Sequence, residues 1–480
     1  MFLWNASTQT SLDTAATVSV SSLAHISPRN PYYYNTDAPR SPTWVFNRLP
    51  PEILFHICEL FCDHCHGSWY ENGPPSELFH LEDPYTSLRA LSLVCKSIGY
   101  IAQRVLHHHF GYTRASKEPM AKLCRTISSN PELARELRWA DLTWWCTGST
   151  VPKDIVGGWL PETINKLSPY LLNGGEGISD DDLLTAIILL QAPNLERLED
   201  NRERLVSAFD RLNHDAVIRD HALPPNLKQL SLGRFVNAAY YRFESVAVDL
   251  SWEGLGGFIN TFKKLESLII HCPLASGVDE RLSFQSLRAL RLHGFKLPLK
   301  DFENLISRIP NLETFGFTRQ SFSNVYMPEH PTGPEILGVL AKRNDTLRRL
   351  ELHISCTHED VTALKELTNL EELKMGLGAS HRNDHSRGMP IGKQYFKSIM
   401  PPSLRKLHLL VYKTVTFEEA SDALITYISS TYRQSPNDQR LQKVHINLSW
   451  HRRDWAAWQE DTLQRGCQLW AKNGTLVFGK

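Results

Sequence analysis

The sequence predicts an α/β protein in which a helical N-terminal module precedes an irregular solenoid with a parallel concave sheet and helices on its convex side. Two observations support this prediction. Between Leu49 and Phe110, apolar side chains recur at steps of three or four residues, which is the spacing of amphipathic helices. Further along, the pattern Leu-x-x-Leu-x-Leu recurs, and segments with helical spacing separate its copies.

The composition is that of a folded protein with reduced thiols. Of 480 residues, 42% are hydrophobic, and Lys plus Arg equals Asp plus Glu at 52 each. Such a chain can bury a sizeable core, and its charge balance predicts neither a nucleic-acid nor a membrane partner. The 9 cysteines are scattered, and neither a signal peptide nor a bilayer-length apolar run occurs. We expect an intracellular protein, cytoplasmic or nuclear or both.

The first two segments differ sharply in pattern. Residues 1–43 are rich in Ser, Thr, Ala and Pro and have no sustained periodicity, which predicts a disordered leader. Residues 44–112 contain one apolar helical stripe after Pro50 and another from Leu88 to Leu106. A glycine- and proline-containing loop is inserted between them at about residues 62–85. Three short helices cannot bury their own apolar faces, so this module is predicted to bind a partner.

The module also carries a recognisable motif. It opens with Leu49-Pro50-x-Glu52-Ile53-Leu54 and continues, after the inserted loop, with Leu91-x-Leu93-Val94-Cys95-Lys96. This motif resembles the F-box, which docks on the small adaptor subunit of SCF-type cullin-RING ubiquitin ligases. The resemblance implies that the adaptor, and through it a cullin, is bound by Leu49, Pro50, Ile53, Leu54, Leu93 and Val94.

Residues 113–226 are predicted to form a helical linker and degenerate first repeats. A helix is expected at residues 121–129, and a capping strand at about residues 137–144. Ser179 precedes three aspartates and an apolar helical stripe, so it is expected to be a helix N-cap with acids in the positive first turn. That explanation of the aspartates is favoured over a metal site. Leu195-x-x-Leu198 is a candidate degenerate repeat.

Residues 227–448 contain eight copies of the repeat, in which Ile, Val, Phe or Met replaces some leucines. The copies begin 22 to 38 residues apart, at Leu227, Leu265, Leu287, Leu312, Leu347, Leu370, Leu404 and Leu441. Alternate apolar residues in each copy predict a short strand, and residues 301–309 and 334–342 have helical spacing. The array resembles leucine-rich repeats. Residues 449–480 are predicted to be the C-terminal cap that a solenoid requires, with a last strand at Leu476-Val477-Phe478.

Catalytic and metal-binding patterns are weak. No nucleophile elbow, phosphate loop, dinucleotide fingerprint or His-Glu-x-x-His occurs, so we expect no enzyme activity and no cofactor. Cys62-Asp63-His64-Cys65-His66 has zinc-ligand residue types but no second Cys-x2-Cys, and a polar loop at a helix end is favoured over a metal site. His107-His108-His109 is interpreted as the end of a helix, where imidazoles complement the dipole.

A charged surface is predicted on the last repeats. In each copy, the residue between the second and third leucines, and the one two positions earlier, point away from the core. Because strands in a ladder lie about 4.8 Å apart, one contiguous charged surface is predicted for Arg349, Glu351, Glu372, Lys374, Lys406 and His408. The hypothesis is that it contributes to binding an unknown target protein, and the alternative is a solvated surface without a partner.

By resemblance, the chain is predicted to be the substrate-recognition subunit of an SCF-type ubiquitin ligase. The F-box docks on the adaptor, and the leucine-rich-repeat solenoid holds the target near the site of ubiquitin transfer. One alternative is a repeat scaffold outside any ligase, whose F-box-like helices pack only on its own first repeats. Another is an enzyme built on the unassigned segment from Trp139 to Phe243.

Overall fold

The structure is a computed structural model. It describes residues 49–66, 85–111, 118–142, 157–172, 178–200, 202–220, 222–233, 249–250, 252–271, 274–275, 282–293, 297–318, 331–353, 361–377, 392, 394–411, 423–424, 426–427, 441, 443–448, 469–472 and 475–478. The predicted leader, residues 1–43, lies outside the described residues, as do most of the inserted loop and most of the C-terminal cap. None of the described helices is long and apolar enough to cross a membrane.

The helical module, residues 50–106, contains four described helices. They are α1 Pro51–Glu59, α2 Asp63–His66, α3 Thr86–Ser92 and α4 Lys96–Leu106. Helix α1 begins with a proline because proline has no N–H to leave unpaired in a first turn and its φ is already helical. Helices α1 and α3 both pack against α4. Their apolar stripes meet in a small core that includes Leu54, Cys58, Leu88, Ile98 and Val105.

The strands that follow the module belong largely to one sheet. They are β1 His109–Phe110, β2 Trp139–Asp141, β3 Arg197–Asp200, β4 Gln229–Leu232, β5 Asp249–Leu250, β6 Ser267–His271, β7 Leu274–Ala275, β8 Ala289–His293, β9 Thr314–Thr318, β10 Arg349–His353, β11 Glu372–Leu377, β12 Lys406–Val411, β13 Lys443–Leu448, β14 Leu469–Lys472 and β15 Thr475–Phe478. Strands β5 and β7 form a separate pair, and the other 13 form a sheet in the order β1-β2-β3-β4-β6-β8-β9-β10-β11-β12-β13-β15-β14.

The sheet runs parallel from β1 to β13, as stacked repeats of one kind require. Its register follows the leucine pattern: Leu350 is paired with Phe315 on one side and with Leu373 on the other. The inward leucines and the helices form one continuous apolar cluster that includes residues from Met120 to Val444. The predicted α/β repeat solenoid is confirmed.

The helices after the module close the apolar face of the sheet. They are α5 Glu118–Ser129, α6 Pro131–Glu136, α7 Trp159–Leu167, α8 Asp180–Gln191, α9 Arg202–Asp210, α10 His214–Arg219, α11 Trp252–Thr261, α12 Leu299–Ser307, α13 Gly333–Ala341 and α14 Tyr395–Ile399, with 3-10 turns at Ser168–Tyr170 and Thr362–Glu366. Side-chain caps fix several starts: the Ser179 hydroxyl accepts from the Asp182 N–H, and Thr332 forms a capping box with Glu335.

The sheet extends beyond the segment assigned to it from the eight copies. The capping strand and the degenerate copy both exist, as β2 and β3, so repeat structure precedes Leu227. The prediction for the histidine run holds for His107, which is the C-cap of α4 and whose Nδ1 lies 2.8 Å from the Gln103 carbonyl oxygen. It is wrong for His109, which already belongs to β1. At the other end, the predicted last strand is present as β15, which pairs antiparallel with β13 and with β14. Strand β14 was not predicted.

Candidate functional site

The helical module exposes an unusual amount of apolar side chain. Leu93 is 86% exposed and Ile53 is 45% exposed, and Leu60, Phe61 and Tyr100 are exposed as well. Ile53 lies on α1 and Tyr100 on α4. Leu60 and Phe61 directly follow α1, and Leu93 directly follows α3. Folded proteins tolerate single exposed apolar residues, but several large ones within one short module mark a surface that another molecule covers.

The six residues predicted to contact the adaptor do not all lie at the surface. Pro50, Ile53 and Leu93 are exposed, and Leu49 and Val94 are half-buried. Leu54 is only 2% exposed and belongs to the module's own core, so its assignment to the contact surface is corrected. The reason is helical geometry: adjacent residues on a helix point about 100° apart, so Ile53 and Leu54 cannot share a face.

A polar junction connects the module to the solenoid. Arg104 on α4 donates from Nε to Glu136 Oε1 on α6 at 2.9 Å, and His108 Nε2 lies 3.5 Å from the other carboxylate oxygen. The His109 ring stacks on Trp139 with centroids 3.9 Å apart. Within the described part of the chain, the module's buried apolar residues are not part of the solenoid's continuous cluster. Polar contacts therefore contribute substantially to this connection.

Four metal-ligand side chains converge at the same junction. The ligand atoms of Cys62, His64, Cys65 and His108 all lie within 4.8 Å of one another. Cys65 Sγ lies 3.4 Å from His108 Nδ1 and 3.7 Å from His64 Nδ1. Cys62 and His108 are buried, and the other two are half-buried. The sequence did not predict the fourth member, because His108 is 43 residues beyond Cys65 and had been interpreted as part of a helix end.

The charged surface on the last repeats has the register predicted from the sequence. Arg349 pairs with Glu372 on the next strand, and Glu372 pairs with Lys406 on the one after it. In the neighbouring row, Glu351, Lys374 and His408 follow one another in the same way. The six residues are contiguous, and we call them the charged ladder. Whether a target binds there remains a prediction.

The charged ladder is largely paired within itself. Lys374 Nζ donates to Glu351 Oε1 at 2.6 Å, and Glu372 lies 3.5 Å from both Lys406 Nζ and His408 Nε2. Arg349 is the most exposed member, at 53% of its side chain, and Lys406 follows at 46%. These two cations, at one edge of the ladder, are therefore the groups best placed to meet a partner.

Glu351 is the electrostatic centre of this surface. Burial by itself would raise the pKa of its carboxyl, but a hydrogen bond with His353 and the charge of Lys374 outweigh that effect. The net result is a pKa well below the usual range, so the group is charged at any physiological pH. His353 Nε2 lies 2.8 Å from Glu351 Oε1. His353 was not among the residues predicted from the sequence.

Arg291 reaches this centre from two strands away. Its Nε lies 3.9 Å from Glu351 Oε2, although β9 separates β8 from β10. The intervening residue is Gly316, where a Cβ would lie only 2.8 Å from Arg291 Cγ. The glycine thus leaves the space in which the arginine side chain crosses the strand. The sequence placed both residues on the outward face but did not indicate this contact.

Two histidines lie beside the charged ladder without adding charge to it. His271 and His293 occupy paired positions on β6 and β8, and their rings stack with centroids 4.7 Å apart. Burial lowers the pKa of His271 to about 3 and that of His293 to about 4. Both rings are neutral near pH 7, so they add no charge beside Arg291.

Comparison with known proteins adds little to this geometry. No protein-family model matches the chain, and neither does any curated protein. Among solved structures, the chain is similar to an internalin from Listeria monocytogenes, with 14% identity over 61% of this chain and 79% of that one and a TM-score of 0.27. At that TM-score the likeness carries no functional information. The fold itself defines the class: an α/β leucine-rich-repeat solenoid with a helical N-terminal module.

Proposed function

We propose that the chain is the substrate-recognition subunit of an SCF-type ubiquitin ligase. The helical module docks on the small adaptor, which connects the chain to a cullin, and the solenoid binds a target protein. The chain has no catalysis of its own in this proposal. It raises the local concentration of the target's lysines at the site of ubiquitin transfer.

One observation carries the proposal: the module presents Ile53 and Leu93, two of the motif's apolar positions, to solvent. A side chain as exposed as that of Leu93 contributes almost nothing to folding. Its burial in an interface, by contrast, would contribute about 1.5–3 kcal/mol. The F-box-like sequence supplies the identity of the partner, and the exposed side chains supply a surface for it.

The test is the variant Leu93→Asp in the full-length chain, with purified adaptor as the probe. A charge in a desolvated interface is expected to cost about 2–4 kcal/mol, which weakens the Kd roughly 30- to 700-fold. The matched control is Ile218→Asp, since Ile218 is also a largely exposed aliphatic residue, 59% exposed, but lies on α10. The free energy of unfolding of both variants should lie within about 0.5 kcal/mol of the wild-type value.

Equal adaptor affinity of the Leu93 variant and the control would refute the docking role. Ile53→Asp provides a second variant on α1 and should behave as the Leu93 variant does. Leu54 is unsuitable for this test, because a charge in the module's core would unfold the helices and abolish binding for an unrelated reason.

A second candidate is a scaffold outside any ligase, whose F-box-like helices are only structural. The observation that favours it is the polar junction, in which Arg104 contacts Glu136 and His109 stacks on Trp139. The Arg104–Glu136 contact attaches α4 of the module to α6, and the His109–Trp139 stacking holds the segment that follows α4 in the first two strands. Under this alternative the adaptor binds neither the wild type nor the Ile218 control, so the same measurement separates the two candidates.

The target surface in this proposal is the charged ladder. The double variant Arg349→Gln, Lys406→Gln removes the ladder's two most exposed cations and leaves the short Lys374–Glu351 hydrogen bond intact. If each of these two exposed charges contributes about 0.3–0.7 kcal/mol to binding, the double variant should lose roughly three- to tenfold in target affinity.

Target proteins for this measurement come from affinity purification of the wild-type chain. The control is Lys166→Gln, Lys342→Gln, which removes the same charge from α7 and from the residue after α13. Both control lysines are exposed and belong to ordinary surface ion pairs. Undiminished target binding by the ladder variant would place the target site elsewhere.

A further inference from the structure

The four converging side chains at the junction have the composition of a metal site. Cys62 and Cys65 form a Cys-x2-Cys pair around the end of α1 and the short α2, and His64 lies between them. His108 arrives from the segment between α4 and β1. We propose that Cys62, His64, Cys65 and His108 bind a zinc ion that fastens the helical module to the solenoid.

The ligand types select zinc over the hard cations. Two thiolates and two imidazoles form the Cys2His2 set of tetrahedral zinc sites, whereas Mg²⁺ and Ca²⁺ require oxygen ligands. On binding, each thiol loses its proton to solvent, and the thiolate becomes the ligand.

The distances leave room for such an ion. Zn–S bonds of about 2.3 Å and Zn–N bonds of about 2.0–2.1 Å in a tetrahedron place neighbouring ligand atoms roughly 3.3–3.8 Å apart. The separations from Cys65 Sγ to His108 Nδ1 and to His64 Nδ1, 3.4 and 3.7 Å, fall in that range. The remaining separations, all within 4.8 Å, require shifts of about 1.5 Å or less.

The carboxylate beside His108 supports the same assignment. Its Nδ1 faces the cluster, and its Nε2 lies 3.5 Å from Glu136 Oε2. A ligating histidine usually donates its other ring N–H to a carboxylate, which orients the ring and makes the ligating nitrogen more basic. Arg104 holds that carboxylate in place through Oε1.

The position of the site gives the ion a mechanical role. Three ligands belong to the end of the helical module that carries α1, and the fourth directly precedes the first strand of the sheet. Among the residues that the structure describes, the module's buried apolar side chains are not part of the solenoid's cluster. Coordination bonds would therefore add a connection that apolar packing alone does not supply. The ion therefore sets the orientation of the exposed Leu93 surface relative to the charged ladder.

The experiment measures metal in the purified full-length chain by mass spectrometry, and then adds Co²⁺ to chain stripped with a chelator. We expect about one zinc per chain. The Co²⁺ form should show the visible bands of a tetrahedral ion and a thiolate charge-transfer band. The variants Cys65→Ser and His64→Ala should retain less than about a tenth of that zinc. The matched controls, Cys95→Ser and His107→Ala, should retain all of it.

His64 is half-buried, so its alanine variant is expected to fold. If the Cys65 variant fails to fold, the His64 variant still tests the proposal. In the wild type, the chelator should lower the Tm, and Zn²⁺ but not Mg²⁺ should restore it. The proposal is overturned if the wild type carries no more zinc than the Cys65 and His64 variants. It is also overturned if Co²⁺ binds without a thiolate band. Metal content is measured without the adaptor, so this outcome is independent of the proposed ligase role.

Discussion

Glu351 and Glu372 offer a matched pair of carboxylates on neighbouring strands. Their side chains are 21% and 24% exposed, and each faces three basic groups. They differ in geometry, because Glu351 has two short contacts, 2.8 Å to His353 and 2.6 Å to Lys374. The contacts of Glu372 are all 3.5 Å or longer. Replacing each by glutamine therefore isolates the effect of short charge-assisted hydrogen bonds.

The two substitutions should lower the free energy of unfolding by different amounts at neutral pH. Hydrogen bonds to a charged group contribute about 1.5–3 kcal/mol each when buried, and partial exposure reduces this figure. We expect Glu351→Gln to lower the free energy of unfolding by about 1–3 kcal/mol. For Glu372→Gln, whose contacts resemble ordinary surface ion pairs, we expect about 0–1 kcal/mol.

The dependence on pH follows from the depressed pKa of Glu351. An unfolded glutamate titrates near pH 4.3, while the folded carboxyl remains charged to lower pH. Its stabilisation is therefore complete above about pH 5 and declines as the pH falls toward the folded pKa. Urea unfolding at about pH 7 and about pH 3 should show the gap between wild type and Glu351→Gln narrowing in acid. A larger loss for Glu372→Gln, or a gap that does not change in acid, would refute this reasoning.

Two further predictions concern the module and the first strands. Leu54→Ala should destabilise the helical module by about 2–5 kcal/mol, measurable as earlier loss of helical circular dichroism on heating, because Leu54 is buried in the module's core. Burial raises the pKa of Glu199 to about 7. Between the unfolded pKa of about 4.3 and this value, the folded chain therefore keeps a proton on Glu199 that the unfolded chain has lost. Wild-type stability should fall as the pH rises from about 5 to about 8, and Tm measurements on Glu199→Gln should show a weaker decline.

The strand register could be predicted from the sequence, for a physical reason. Alternate residues of a strand face opposite sides, and every leucine copy must face the same core, so aligning the leucines also aligns the outward residues. Hence Arg349, Glu372 and Lys406 were correctly expected to be neighbours. The same logic predicted the array of strands but not where it begins, because β1 has only two residues and no leucine pattern.

The junction could not be predicted, because it depends on how the module packs against the solenoid. Cys65 and His108 meet through tertiary structure alone, since they lie 43 positions apart in the sequence. The burial of Leu54 beside the exposed Ile53 also depends on which face of α1 meets α4. A contact that crosses an intervening strand cannot be predicted from the repeat pattern either. Arg291 reaches Glu351 because Gly316, on the strand between them, has no side chain.

The sheet ends in short edge strands, and this limits the assembly of the molecule. A stack of parallel strands is a template on which a second copy of the chain could continue the sheet in the same sense. Here β15 pairs antiparallel with β13, and β14 forms the terminal strand of the described sheet. At the opposite edge, β1 offers only two residues. Because β14 is antiparallel to β15, it runs in the same direction as β1–β13. Growth into a continuous fibre is therefore limited by edge length, since β14 offers 4 residues and β1 offers 2.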